Sequence, residues 1–309
     1  MMNKISFSKT QNTLIVIVGP TAIGKTHLSI EIAKKYQTEI ISADSRQFFK
    51  ELKIGTAPPS PLELETVKHN FISNISISDY YNVSKFEMEA LKKISDIFSE
   101  NNYAILVGGS GLYINAVCYG IDELPELDEK IRNDIKHKFS AEGIEALQKQ
   151  LKNLDPEYYK IVDLTNPKRL MRALEICIAT GKTYSSLRKN EPKPRNFKII
   201  KIGLNRNREE LYEIINNRVD EMIKNGLLDE AKKFYKYKNL NALNTVGYKE
   251  IFNFLDNKIT LEQAIENIKT NTRRFAKRQL TWFNKDKSIK WFHPDEKKKI
   301  LNYIESFQN

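Results

Sequence analysis

A chain of 309 residues, 40% of them hydrophobic, can bury a substantial core, and its length suggests about two domains. The longest apolar stretch near the start, Leu14 to Val18, is too short for a signal segment, and no run approaches the roughly 20 apolar residues of a membrane span, so we expect a cytoplasmic protein without a membrane partner. A formal net charge of +11 points to an anionic partner, while two cysteines (Cys118, Cys177) and four histidines without paired ligand spacing argue against a disulfide framework or a zinc site.

In chain order, the first 120 residues alternate short apolar strands with helices: a strand at Leu14 to Val18, a helix from Lys25, a strand at Glu39 to Ala43, a helix from Ser84 and a strand at Tyr103 to Val107. Ser84 followed by Glu87 reads as a capping box. The alternation predicts an α/β fold, a parallel sheet flanked by helices. From Ile121 the pattern turns acidic and then helical up to the proline-containing stretch at 190–197, after which FKIIKIGL, Phe197 to Leu204, reads as another buried strand. The simplest organisation is a core in two parts, 1–120 and 196–309, interrupted by an all-helical insertion at 121–195. The second part is mostly helical, with a short strand-like IKWF before the last helix.

The charge is concentrated. Residues 160 to 201 carry eleven Lys/Arg against three Asp/Glu, residues 269 to 299 carry the same, and the remainder is net negative. Two separate basic blocks are the pattern of a nucleic-acid footprint, although solvated helix faces would look alike.

Gly19, Pro20, Thr21, Ala22, Ile23, Gly24, Lys25 and Thr26 match GxxxxGK[ST] directly after a strand and at the opening of a helix, a phosphate-binding P-loop in the context it requires. Backbone N–H groups and the helix N-terminus supply positive potential, Lys25 a point charge, and the Thr26 hydroxyl a ligand for Mg2+. Asp44 ends the next strand, where side chains of a parallel sheet face the ligand crevice. Magnesium ligand, general base and helix N-cap all remain open for it. The turn Gly108-Gly-Ser110-Gly allows close approach of backbone to a ligand, or is simply a tight turn. Lys168, Arg169 and Arg172 share a helix whose other face, with Leu170, Ala173 and Leu174, should be buried. Arg274, Lys277 and Arg278 do the same further on, where Phe275, Trp282 and Phe283 could be core residues or base-stacking platforms, their amphipathic spacing favouring the core. Arg218 could reach back to the loop's phosphates, but from pattern alone it reads as a surface salt bridge.

Six stretches, GPTAIGKT, SADSRQFFKELKIGTAPP, GGSGLY, KRLMRALE, NTVGYKE and AKRQLTWF, resemble in order and spacing the bacterial tRNA dimethylallyltransferases, over essentially the whole chain. That resemblance implies a P-loop core with an insertion that embraces the tRNA anticodon stem-loop, and transfer of a dimethylallyl group from dimethylallyl diphosphate to the exocyclic N6 amine of the adenosine 3′ of the anticodon. It implies that Asp44 is the general base, that Gly19 to Thr26 cradle the diphosphate with Thr21 close to the donor and Lys25 on its charge, and that Arg218 lies near the diphosphate. It implies tRNA contacts from Asp44, Ser45, Arg46 and Gln47; from Ser110 and Arg132; from Lys168, Arg169, Leu170, Met171 and Arg172; from Asn244, Thr245, Val246, Gly247, Tyr248 and Lys249; and from Lys277, Arg278, Gln279, Leu280, Thr281, Trp282, Phe283 and Asn284. Mg2+ is the expected cofactor and a monomer the expected state. Ile23 replaces a usual serine, Phe49 a tyrosine, Ser110 a threonine and Lys249 an arginine, and from the histidine and cysteine count we expect no zinc-finger tail like that of eukaryotic relatives. A P-loop kinase of a small metabolite and a non-enzymatic RNA-binding ATPase are the alternatives; neither gives both basic blocks and the insertion a purpose.

Overall fold

Six consecutive residues without polar alternation, TLIVIV, are satisfied only by burial on both faces, and Thr13–Val18 forms a central strand, β1, with every residue buried. The computed structural model describes residues 11–125, 128–189 and 191–307. Part of the acidic stretch (126, 127) and the first residue of the proline-containing stretch (190) therefore lie outside the described residues.

After β1 come α1 (Lys25–Tyr36), β2 (Ile40–Ser42), α2 (Pro61–Thr66), β3 (His69–Asn70), α3 (Val83–Glu100), β4 (Tyr103–Gly108) and α4 (Gly111–Tyr119). The helices α5 (Glu129–Leu154), α6 (Pro156–Ile161), α7 (Pro167–Thr180) and α8 (Tyr184–Leu187) follow. The chain then runs through β5 (Lys198–Leu204), α9 (Arg208–Lys224), α10 (Leu227–Phe234), α11 (Tyr248–Leu255), α12 (Leu261–Phe283), β6 (Lys290–Phe292) and α13 (Lys297–Glu305). It divides into two compact units, one made of the chain up to Tyr119 and again from Arg195, the other of Gly120–Pro194.

In the first unit all strands are parallel, in the order β3-β2-β4-β1-β5-β6. Ile15, Ile17, Ile105, Ile200 and Ile202 face α1, α9, α12 and α13 through Leu28, Ile32, Leu211, Ile215, Ala276 and Ile300. Leu14, Val16, Val18, Ala104 and Leu106 face α3 and α4 through Phe86, Ala90, Ile94, Ile114 and Val117. A third cluster, with Val219, Leu227, Ala231, Tyr248, Ile251 and Ile268, packs α9 to α12 together. In the second unit, Ile135, Leu147, Leu151, Tyr158, Leu170, Ala173 and Leu174 form the core of α5 to α7. Fully buried Asp155 caps α6: its Oδ1 accepts from the Tyr158 N–H and the Ser185 hydroxyl, and its Oδ2 from the Ser185 N–H, so the acid is stabilised by donors on both oxygens.

Two local expectations are corrected. The N-cap of α3 is Asn82, whose side chain accepts from the Lys85 N–H, so Ser84 and Glu87 lie inside the helix and form no capping box. Glu87 is instead a buried partner of Arg195, at 2.8 Å, and the Arg195 guanidinium also donates to the Val117 and Ala116 carbonyls. The edge strand β3 went unread because two residues carry no periodicity.

Lys201 lies in β5, 4% exposed, and its ammonium donates to Asp286 Oδ2 at 2.5 Å and to the Tyr119 hydroxyl. Removing one member of such a pair leaves an uncompensated buried charge. Asp286→Ala should therefore cost about 3 kcal/mol in urea unfolding, and the double variant Lys201→Met, Asp286→Leu should recover most of it. A double variant no more stable than the single would contradict this assignment.

Candidate functional site

The ends of β1, β2 and β4 lie side by side, Val18 opposite Gly108 and Ser42 opposite Val107, so the segments that follow them open onto one place. The segment after β1, Gly19 to Thr26, turns sharply: Ala22 sits at φ 64° and Gly24 at φ 97°. Gly24 caps α1 without a side-chain acceptor, leaving the first amides of the helix for a ligand. An alanine in the left-handed region costs roughly 1 kcal/mol, so the surroundings must hold it there. Ile23 points away into the core, 1% exposed, which is why an apolar side chain replaces serine without disturbing the loop.

The loop forms one wall of a cavity of about 280 Å³, lined also by Ser42, Asp44, Gln47, Arg218 and Gln279. The Lys25 ammonium donates to the Pro20 carbonyl at 2.7 Å. Burial pushes its pKa down to about 8, with Asp44 opposing and Arg218 adding to the shift. An incoming diphosphate would favour the charged form. Arg218 is half-buried in the same cavity, not at a surface salt bridge as its pattern suggests; it donates to the Ala57 carbonyl at 3.3 Å, and burial lowers its pKa against the pull of Asp44.

Asp44 has one oxygen engaged locally, Oδ1 accepting the Arg46 N–H at 3.0 Å. The carboxylate is thus oriented by its own turn. Its neighbours build the frame around it. The Ser45 N–H donates to the Ser110 hydroxyl at 3.0 Å, Arg46 donates to the Asn241 carbonyl at 2.7 Å, and the Gln47 carboxamide donates to the Ala57 carbonyl at 3.0 Å. Ser45, Arg46, Gln47 and Ser110 therefore carry structural hydrogen bonds that the resemblance alone did not suggest.

Other residues of the expected tRNA interface divide by exposure. On α12, Lys277, Arg278, Thr281 and Trp282 are exposed, as is Asn284 just after it, whereas Gln279 and Phe283 are buried and Leu280 packs against the core. Phe275 and Trp282 are each 39% exposed, which corrects the reading of both as core residues; Phe283 alone is core. Between 244 and 249, Asn244 and Lys249 are exposed, Thr245 and Val246 half-buried, and Gly247 and Tyr248 buried, with the Tyr248 hydroxyl donating to Glu230 at 2.6 Å. On α7, Lys168 and Arg169 are exposed, Met171 and Arg172 half-buried, and Leu170 lies in the core. Arg172 and Arg132 both approach Glu175, at 3.6 and 3.8 Å. The side chains of Leu170, Tyr248, Gln279 and Phe283 are thus buried in this structure, with Gln279 also bordering the cavity.

Sequence reasoning missed part of the wall, namely Ala57, Pro59, His69, Ile72 and Ile214. His69 Nδ1 faces the Val67 carbonyl at 2.8 Å, its Nε2 is buried without a hydrogen-bond partner among the described residues, and burial lowers its pKa against that carbonyl. Ala57 and Pro59 end the stretch SADSRQFFKELKIGTAPP, in the loop before α2, whereas no motif marks His69 in β3, Ile72 after it or Ile214 on α9. Among the described residues, no group of three or more His, Cys, Asp or Glu could hold a metal, and no helix is long and apolar enough to cross a membrane.

The family described as IPP transferase matches residues 47–286. The chain is 58% identical to the tRNA dimethylallyltransferase of Christiangramia forsetii, over 96% of this chain and 98% of that one, and 52% identical to that of Flavobacterium johnsoniae, over 94% and 96%. A crystal structure of the full-length tRNA isopentenylpyrophosphate transferase from Bacillus halodurans superposes with a TM-score of 0.70 at 36% identity, covering 96% of this chain and 97% of the other. A eukaryotic dimethylallyltransferase, solved acting on tRNA, superposes with a TM-score of 0.73 at 30% identity, covering 88% and 70%. With a family match across most of its length and relatives above half identity, this chain belongs to the IPP transferase family.

Proposed function

We propose that this protein is a tRNA dimethylallyltransferase, which moves a dimethylallyl group from its diphosphate to the N6 amine of the adenosine 3′ of the anticodon. The observation that carries this reading is the cavity that Asp44 lines together with Arg218 and the loop residues Thr21 to Thr26, Lys25 among them, in a chain of this family. A kinase or ATPase would use the same loop, but the relatives named above favour neither.

The chemistry follows from the residue types. The diphosphate of the donor lies on the loop amides, Lys25 and Arg218. The amine nitrogen attacks the first carbon of the prenyl chain, the C–O bond breaks, and its electron pair leaves on the bridging diphosphate oxygen. Lys25, Arg218 and the helix N-terminus stabilise that charge as it develops. Asp44 takes the proton from the amine, whose lone pair is otherwise delocalised into the ring and poorly nucleophilic. The oxygen engaged by Arg46 fixes the carboxylate plane, and the other is left for the amine. One hydroxyl at Thr26, with no carboxylate cluster among the described residues, suits Mg2+ brought with a diphosphate better than a resident ion, since Mg2+ takes its remaining ligands from phosphate and water. Thr26 would hold it, and it would supply neutralising charge to the diphosphate. The target base must leave its stack at a cost of a few kcal/mol, which tRNA contacts at Lys168, Arg169, Lys277, Arg278 and Trp282 offset.

Mass spectrometry of nucleosides from tRNA incubated with the protein and dimethylallyl diphosphate should show one prenylated adenosine in the anticodon loop. Phosphoryl transfer from ATP without prenylation would rule the assignment out. Asp44→Asn should lower turnover by about 10²-fold with tRNA affinity nearly unchanged, and an unaltered rate would remove Asp44 from the base role. Arg218→Ala should lower kcat/KM by a similar factor, about 10²-fold, through lost charge stabilisation. Because Arg172 is held by Glu175, charge reversal belongs at Lys168 and Arg169: the double Glu variant should weaken tRNA binding and flatten its salt dependence while donor binding stays intact. Equal loss of donor binding would show that α7 supports the core instead.

A further inference from the structure

Gln279, on α12 and 6% exposed, is the one buried polar residue of the basic stretch 277–282. Its Oε1 accepts the Thr21 N–H at 2.8 Å, and its Nε2 donates to the Gly109 carbonyl at 2.9 Å. A peptide N–H can only donate and a carbonyl only accept, so the two partners fix which end of the carboxamide faces which. Thr21 directly precedes Ala22, the residue held at φ 64°. The glycines of the turn after β4 make room for this arrangement. A Cβ on Gly109 would lie 2.2 Å from Gln279 Nε2, and a Cβ on Gly111 would lie 2.2 Å from the Trp282 ring, one helical turn further along α12. The turn is thus a seat for α12, and Gln279 is the link from that helix to the glycine loop.

We propose that Gln279 is a positioning residue for the donor: its carboxamide pins the Thr21 peptide, holds the strained Thr21-Ala22 turn in shape, and so presets the loop for a diphosphate. This rests on the reading of the loop as the donor's diphosphate site, and it moves Gln279 from the tRNA interface to the donor side. The same helix presents Lys277, Arg278 and Trp282 outward, so one rigid element carries both the expected tRNA contacts and the clamp on the loop.

The test titrates inorganic diphosphate and dimethylallyl diphosphate by calorimetry, and an anticodon stem-loop RNA by fluorescence anisotropy, against wild type and three variants. Gln279→Leu removes both hydrogen bonds, Gln279→Glu keeps the acceptor for Thr21 but loses the donor to Gly109 when ionised, and Gly109→Ala displaces the carboxamide without altering it. Each should weaken both diphosphates about tenfold or more, with RNA affinity within about twofold of wild type. For Gln279→Glu, the deficit relative to wild type at the same pH should shrink as the pH is lowered, because the protonated acid can again donate to Gly109; a merely structural fault would not recover. Should Gln279→Leu fail to fold, Gln279→Glu and Gly109→Ala decide the matter. Diphosphate affinity unchanged in these variants, with or without loss of RNA binding, overturns the proposal, as does parallel loss of both ligands without recovery at low pH. Diphosphate binding that depends on Gln279 in a wild type that prenylates no tRNA would instead sink the proposed function and leave the clamp standing.

Discussion

On the proposed reading, the site grips a diphosphate by charge and releases it as a leaving group, and the parallel sheet is what brings the charged groups together. The ends of β1, β2 and β4 deliver in turn the glycine loop, Asp44 and the seat for α12, while α9 supplies Arg218 from across the cavity. Lys25 and Arg218 are cations partly withdrawn from water, each held at a pKa below its ordinary value by burial, with Asp44 as the opposing charge. Such a set is poorly satisfied without a bound anion. On the proposed reading, that is the physical sense in which the cavity is preorganised for the charge of a departing diphosphate.

Much of this was legible in the sequence, for reasons that can be named. The stretch LIVIV has only one comfortable environment, and GxxxxGKT after it has one common geometry, so β1, the loop and α1 could be placed from spacing alone. Asp44 followed from the rule that strand ends face the crevice. The apolar positions Leu170, Ala173 and Leu174 of α7 at helical spacing gave the buried face correctly. What escaped was decided by neighbours remote in the chain. Glu87 looked like a capping-box acid because only Arg195, more than a hundred residues away, shows it to be a buried partner. Arg218 looked like a surface residue because its helix is mostly polar, and only the packing of α9 beside the loop turns it inward. Phe275 and Trp282 lie on an amphipathic helix at spacing that suits a core, yet α12 is docked by Gln279 and Phe283, which leaves both of them partly in solvent.

The glycine turn after β4 both borders the cavity, through Gly108, and seats a neighbouring helix. It admits side chains of α12, and Ser110 within it steadies the peptide next to Asp44 through the Ser45 N–H. Residues that resemblance alone would assign to RNA contact thus hold the chemical centre in shape. Lys168 and Arg169 of α7 and Lys277 and Arg278 of α12 are exposed cations of the two basic blocks. Glu175, buried between Arg132 and Arg172, adds a fixed negative point to the second unit that restrains two of its cations.

The most direct test of this account is a crystal structure of the protein with an anticodon stem-loop RNA and a non-cleavable thio-analogue of dimethylallyl diphosphate. The account predicts the diphosphate on the amides of Gly19 to Thr26, within reach of Lys25 and Arg218, and the target amine between the first prenyl carbon and Asp44. A diphosphate bound elsewhere, or an amine that meets the prenyl carbon away from Asp44, would contradict it.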